Sequence, residues 1–144
     1  PSLHNILNPY LQNAPITSII QPILMKMDAA GYHKALATDK EVFVFCGIGN
    51  PNIFIQTVKA VGLNIVGKRI FQDHQKYNSR VLRELTVQVH NNNCLAVVTT
   101  EKDLVKIPDS FIQKFMFYVI KIDMVFENDS ELIELINPIL QPPL

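Results

Sequence analysis

The 144-residue chain is 48% hydrophobic and 18% charged, a composition that predicts one packed globular domain and argues against an intrinsically disordered protein. Thirteen basic and thirteen acidic residues give a formal net charge of zero, which provides no general attraction to nucleic acid. No apolar run reaches the roughly 18 residues that a transmembrane helix needs. Because the chain begins with Pro1 rather than Met, we expect a processed protein or a fragment.

The first 39 residues have no sustained hydrophobic period, and we expect residues 1–39 to be an irregular connecting arm. The stretch "ITSIIQPILMKM" is apolar and β-branched, but Pro22 interrupts it, so it could supply an edge strand. Residues 40–144 are expected to form the domain itself.

The regular part of the chain begins with "EVFVFCG", a continuous apolar run that is typical of a strand buried on both faces. A helix follows, with Asn50 at the N-cap, Pro51 at the first helical position and Gly62 at the end. The stretch "LNIVGKRIF" predicts a second strand, and Asn78 or Ser79 begins a second helix.

The second half of the chain continues this alternation. "CLAVVTT" predicts a third strand, and Thr100 and Asp103 have the spacing of a capping box at the start of a short helix. "KFMFYVIKI" predicts a fourth strand, and a final helix is expected to begin at Asn128. The alternation predicts an α/β fold, a Rossmann-like three-layer domain with a mainly parallel sheet of about four to five strands.

Cys46 and Cys94 each lie at the edge of a predicted buried strand. We expect both to be reduced thiols that pack as small hydrophobic side chains. Neither belongs to a Cys/His cluster with metal-ligand spacing, and the sequence predicts no metal site.

Ligands of open parallel sheets bind beyond the carboxyl ends of the strands, where the loops "GIGNP", "FQDHQKY" and "TTEKD" are expected. In the first loop, Gly47 and Gly49 suggest a dinucleotide fingerprint, but Asn52 stands where the third glycine belongs. A P-loop sequence, G-x-x-x-x-G-K-[ST], occurs nowhere in the chain. We therefore interpret this loop as a tight turn that allows close packing, and a free-standing dinucleotide-binding domain has weak support.

The second loop places Asp73 and His74 side by side, followed by Lys76 and Tyr77. A histidine there could take a proton from a substrate hydroxyl near neutral pH, and a carboxylate could orient it. Adjacent side chains on an extended backbone point apart, however, so Asp73 need not be the partner of His74. The alternative is a solvated loop in which Asp73 helps to cap the following helix.

The third loop could bring Glu101 and Lys102 to the ligand edge, next to helix-start amides that suit an anion. The alternative is ordinary helix capping by Thr100 and Asp103.

Taken together, "FCGIGNPNIF", "FQDHQKYN" and "VVTTEKDLVK" closely resemble the C-terminal half of the tetraacyldisaccharide 4'-kinase family, the lipid A 4'-kinases. The resemblance covers roughly residues 40–125. It implies ATP- and Mg²⁺-dependent phosphorylation of the 4'-hydroxyl of the tetraacyldisaccharide 1-phosphate precursor in lipid A biosynthesis. It also implies a location on the cytoplasmic side of the bacterial inner membrane. The resemblance further implies that the parent's contact with the membrane surface and its phosphate-binding P-loop domain belong to an N-terminal part that is absent from this chain.

The resemblance also implies roles for individual residues. His74 matches the histidine that helps to activate the sugar hydroxyl, and Asp73 matches the aspartate of the same motif, so both are candidate catalytic residues. The candidate residues of the substrate or nucleotide cleft are Gly47, Gly49, Asn50, Tyr77, Glu101, Lys102 and Asp103.

Two departures from the family pattern limit these expectations. Many members have a second histidine where this chain has Gln75. The phosphate-binding half is also missing, and phosphoryl transfer depends mainly on positioning and electrostatic stabilisation of the phosphates. We therefore expect the isolated chain to be inactive and to bind neither ATP nor Mg²⁺. The alternative function is a non-catalytic α/β binding or scaffolding module.

Overall fold

The computed structural model describes residues 18–28, 31–35 and 40–126, together with Ile133. No helix in these parts of the chain is both long and apolar enough to cross a membrane.

The chain divides into two compact units. Residues 22–122 form one unit, and residues 1–21 with 123–144 form the other. All three loops that the sequence places at the ligand edge belong to the unit 22–122, which is the unit considered below. This unit begins before residue 40, and the expected domain 40–144 stays a prediction.

Six strands form one mixed sheet. They are β1 (Ser18–Asp28), β2 (Gly31–Lys34), β3 (Glu41–Cys46), β4 (Asn64–Ile70), β5 (Ala96–Thr100) and β6 (Met116–Phe126). The strand order across the sheet is β2-β1-β6-β5-β3-β4. The pairs β3–β4, β3–β5 and β5–β6 are parallel, whereas β1 and β2 form an antiparallel hairpin. The predicted α/β fold with a mainly parallel sheet is confirmed.

The sheet has more strands than the four to five expected, because two strands lie in the segment 1–39. The possible edge strand around Pro22 is β1, which lies between β2 and β6, so the short β2 is the edge strand on this side. The β-branched residues that flank Pro22 favour extended backbone, and this preference outweighs the single missing N–H donor.

The described residues of the unit 22–122 form four helices, α1 (Pro51–Ala60), α2 (Ser79–Asn91), α3 (Glu101–Leu104) and α4 (Asp109–Ile112). The predicted N-caps are confirmed, because Asn50 Oδ1 accepts from the Ile53 N–H at 3.4 Å and Asn78 Oδ1 accepts from the Val81 N–H at 3.0 Å. The short α4 was not predicted. The final helix expected from Asn128 lies outside the described residues except for Ile133, which is helical.

The strand order separates the helices into two layers. β4 lies on one side of β3 and β5 lies on the other, so right-handed crossovers place α1 and α2 on opposite faces of the sheet. The ring of Phe45 lies 5.7 Å from that of Tyr77, just before α2, and 6.3 Å from that of Phe111 in α4. These contacts place α4 on the same face as α2. The strand order reverses between β3 and β5, where doubly wound sheets open their ligand crevice.

The core lies on both faces of the central strands, and every residue of β3 after Glu41 and of β5 is buried. Cys46 and Cys94 are buried free thiols, as predicted. A register shift interrupts the β3–β4 pairing at Phe43, whose ring lies against Gly67. A Cβ at Gly67 would lie 2.7 Å from that ring, so only glycine fits there without displacing a neighbour.

Candidate functional site

The loops after β3, β4 and β5 begin at one edge of the sheet. In the parallel register, Cys46 is level with Ile70, and Thr100 is level with Ile120. The carboxyl ends of these strands therefore meet at the same level, and their loops carry the candidate residues.

Asp103 is the centre of a buried hydrogen-bond cluster at this edge, and its side chain is 0% exposed. Its Oδ2 accepts from the Gly47 N–H at 2.8 Å and from the Thr100 hydroxyl at 2.9 Å. Its Oδ1 lies 3.3 Å from Lys106 Nζ. The Asp103 N–H in turn donates to Thr100 Oγ1 at 3.1 Å, so the predicted capping is confirmed. The carboxylate also fastens the end of β3 to the start of α3.

Gly47 has no amide to offer a ligand, because its N–H already donates to the Asp103 carboxylate. A second anion at the same amide would meet the negative charge of Asp103. A Cβ on Gly47 would lie 2.9 Å from the Gln75 Cβ and 3.0 Å from the Gln72 carbonyl oxygen, so the second loop packs directly on this glycine. Both facts support the interpretation of "GIGNP" as a tight turn rather than a phosphate cradle.

Two further protonatable groups lie near Asp103. Burial and the negative charge of Asp103 raise the pKa of the Cys46 thiol to about 11. The same two causes raise the pKa of the Tyr77 phenol, whose hydroxyl is buried near the Asp103 carboxylate. Both groups are therefore neutral at physiological pH, and neither is a ready nucleophile.

Asp73 joins the second loop to the third. Its Oδ1 accepts from Lys102 Nζ at 2.9 Å and from the backbone N–H of His74 at 2.9 Å. The hydrogen bond from Lys102, supported by that of the His74 N–H, holds the pKa of Asp73 below its ordinary value. Asp73 does not cap α2, because Asn78 does so. The cross-loop pair with Lys102 was not predicted.

His74 projects from the second loop with its side chain 81% exposed. Its backbone φ is 61°, in the left-handed region, so the extended geometry assumed from sequence does not apply. The His74 Nε2 lies 3.8 Å from Asp73 Oδ2, too far for a hydrogen bond. The imidazole is therefore presented to the space beyond the sheet edge, where it could exchange a proton with a bound hydroxyl.

The remaining candidates surround this loop. Gly49, Asn50 and Glu101 are exposed, and a Cβ on Gly49 would lie 3.7 Å from Asp73 Oδ2. A mainly apolar groove of about 420 Å³ begins beside Lys102 on the side of α1. Its lining residues are Ile48, Asn50, Ile53, Phe54, Thr57, Thr100, Glu101, Lys102, Ile120 and Ile122.

The candidate residues thus fall into two groups. Gly47, Tyr77 and Asp103 are buried, so in the described structure they support the site from inside instead of lining its surface. Lys106, which the sequence reasoning missed, belongs to the buried cluster, and its position three residues after Asp103 is the signal that could have found it.

The described residues contain neither a metal-binding cluster of side chains nor a P-loop for the phosphates of ATP. They contain no group of three or more His, Cys, Asp or Glu side chains that could hold a metal ion. The chain also has no P-loop sequence, and the Gly47 amide is occupied by Asp103.

Residues 7–141 match the family profile described as tetraacyldisaccharide-1-P 4'-kinase. The chain belongs to this family. Among curated relatives, the tetraacyldisaccharide 4'-kinase of Desulfotalea psychrophila is 40% identical over 79 residues, which cover 55% of this chain and 22% of the relative. That of Rickettsia bellii is 49% identical over 72 residues, covering 50% of this chain and 22% of the relative. That of Rickettsia canadensis is 39% identical over 105 residues, which cover 73% of this chain and 29% of the relative.

A solved structure shares the fold. It is the "apo" form of LpxK from Aquifex aeolicus in complex with ATP, with a TM-score of 0.64 and 20% sequence identity. The match covers 91% of this chain and 38% of that chain. The chain thus spans only about a quarter of the length of the three tetraacyldisaccharide 4'-kinases named above.

Proposed function

We propose that this chain is the carboxyl-terminal part of a lipid kinase. The longer parent transfers a phosphoryl group from ATP to the 4'-hydroxyl of the tetraacyldisaccharide 1-phosphate precursor of lipid A. Membership of the tetraacyldisaccharide 4'-kinase family supports this proposal. The structural observation that best supports the proposal is the exposed His74 side chain. His74 lies at the ligand edge of the sheet, on a loop that the hydrogen bond between Lys102 and Asp73 holds in place.

His74 is the residue that this chain contributes to the reaction. An imidazole can accept a proton near neutral pH, and in this role it helps an acidic group of the N-terminal half to activate the sugar hydroxyl. Asp73 fixes the loop through the His74 N–H and does not hydrogen-bond to the ring. The exposed Gly49, Asn50, Glu101 and Lys102 then border the cleft that receives the sugar or the nucleotide.

The phosphates of ATP and the Mg²⁺ ion are held by the P-loop domain of the parent. Phosphoryl transfer depends on groups that position and neutralise the phosphates, and this chain contains no P-loop sequence to supply them. The isolated chain is therefore inactive and binds neither ATP nor Mg²⁺. The parent acts on its lipid substrate at the cytoplasmic side of the bacterial inner membrane, as a peripheral or anchored protein, and has no nucleic-acid partner.

The test is a His74→Ala variant of the full-length parent, assayed for 4'-kinase activity. We expect kcat to fall by about 10²- to 10⁴-fold, the usual contribution of a positioned acid–base group. His90→Ala is the matched control, because His90 is an exposed histidine of α2 whose Nδ1 lies 2.8 Å from the Thr86 carbonyl oxygen. Near-normal activity of the His74→Ala parent would overturn the proposed role.

A further inference from the structure

The backbone of His74 needs external support. Among the described residues other than glycine, only His74 and Asn93 have a positive φ. This conformation is uncommon for residues other than glycine and persists when surrounding contacts fix it. The local contact is the Asp73 carboxylate, whose Oδ1 accepts from the His74 N–H at 2.9 Å.

Lys102 fixes that carboxylate from the third loop. Its Nζ donates to the same Oδ1 at 2.9 Å, across 29 residues of sequence. The pair is partly exposed, with 47% of the Lys102 side chain and 41% of the Asp73 side chain accessible. Without the ammonium group, the Asp73 carboxylate could rotate toward His74 Nε2, which lies only 3.8 Å from Oδ2. Such a rotation would remove the acceptor of the His74 N–H and would turn the His74 imidazole toward the Asp73 carboxylate.

We propose that Lys102 is a positioning residue, which sets the direction of the His74 imidazole through the Asp73 carboxylate. This inference rests on the proposed function only for its effect on catalysis. The structural relay itself, from Lys102 to Asp73 to the His74 backbone, can be measured without any kinase activity.

The structural arm of the test uses NMR on the 144-residue chain. Lys102→Met, which removes the charge and keeps the length, is expected to shift the backbone amide signal of His74 and leave that of Leu85 in the core unchanged. Lys102→Arg should restore most of the wild-type signal, because it keeps the positive charge. Lys114→Met, at an exposed lysine before β6, is the matched control. An unchanged His74 amide in Lys102→Met would overturn the proposal.

The kinetic arm uses the full-length parent. Lys102→Met is expected to lower kcat by about tenfold to a hundredfold with little change in KM, since a small misplacement of a catalytic group has such an effect. Combined with Asp73→Asn, it should cost little more than either change alone, because both act through one contact. If the two effects multiply instead, Lys102 acts on the substrate directly and the proposal is wrong. If the wild-type parent has no kinase activity but Lys102→Met still shifts the His74 amide signal, the proposed function is refuted and the positioning role of Lys102 is not.

Discussion

The Asp103 carboxylate accepts a hydrogen bond from the Gly47 N–H at 2.8 Å, although 56 residues separate the two in sequence. This bond lies where the strand order reverses, between the ends of β3 and β5. A position that other α/β folds leave for a ligand is thus filled by the protein's own carboxylate.

Loss of the Asp103 carboxylate should destabilise the chain strongly. In Asp103→Ala, the Gly47 N–H, the Thr100 hydroxyl and the Lys106 ammonium lose their shared acceptor, and we expect the free energy of unfolding to fall by about 3–5 kcal/mol. Asp103→Asn keeps the volume and should cost about 1–3 kcal/mol. Urea unfolding of the 144-residue chain measures both. The exposed Asp109→Asn should stay within about 0.5 kcal/mol of wild type. A loss below about 1 kcal/mol in Asp103→Ala would contradict the role of this cluster.

Gly47 and Gly49 form a matched pair, because they share one loop and differ in the space around them. A Cβ at Gly47 would meet the Gln75 Cβ at 2.9 Å, whereas one at Gly49 would have its nearest neighbour, Asp73 Oδ2, at an ordinary 3.7 Å. We expect Gly47→Ala to cost about 1–3 kcal/mol of unfolding free energy. Gly49→Ala should cost no more than about 0.5 kcal/mol. Thermal and urea unfolding give the ranking, and equal losses would show that the second loop does not pack on Gly47.

The two asparagine N-caps should differ in strength. Asn78 Oδ1 accepts from the Val81 N–H at 3.0 Å, while Asn50 Oδ1 accepts from the Ile53 N–H at 3.4 Å, where Pro51 already favours the helix start. Asn78→Ala is expected to lower the free energy of unfolding by about 1 kcal/mol, and Asn50→Ala by less. Equilibrium unfolding of both variants checks the order, and the reverse order would contradict it.

Alkaline pH should weaken the fold through Cys46. The pKa of its thiol is raised from 9.0 to about 11 in the folded chain. Between these values the unfolded chain releases the proton while the folded chain keeps it, so the free energy of unfolding falls as pH rises. Below pH 9.0 the thiol is protonated in the folded and in the unfolded chain, so the stabilising contribution of the buried neutral Cys46 is fully present.

The check compares urea unfolding at about pH 8 and about pH 10.5 in the wild type and in Cys46→Ala. The variant lacks the thiol, and its stability should fall less across this interval. Tyr77, whose pKa is raised first by burial and by the charge of Asp103, contributes a decline to both proteins, and only its smaller interaction with Cys46 is lost in the variant. Identical declines would show that Cys46 ionises equally easily in the folded and unfolded chains.

Features that depend on a few neighbouring residues were predictable from sequence. The apolar run of β3, the cap at Asn78 and the glycine after α1 each follow from local backbone preferences, and the structure confirms all three. Within residues 1–39, the strands β1 and β2 were only partly predicted, because Pro22 suggested an interruption that β1 tolerates.

The internal arrangement of the site could not be predicted in the same way. The spacing of Thr100 and Asp103 indicates a surface cap, and nothing local shows that β5 lies next to β3 and buries the carboxylate against Gly47. The contact between Lys102 and Asp73 likewise depends on two loops that only the strand order brings together. The sequence predicted that these residues share one edge of the sheet, and tertiary packing buries some of them and leaves the others exposed.

The bonds that tie the three loops together have both partners inside one compact unit, residues 22–122. The loops are therefore ordered relative to one another before any substrate arrives, and little conformational entropy is lost in assembling this edge on binding. Because these hydrogen bonds link the loops, we expect the three loops to move together when this edge of the sheet moves. A substitution that breaks one of these hydrogen bonds is then expected to disturb all three loops rather than its own loop alone.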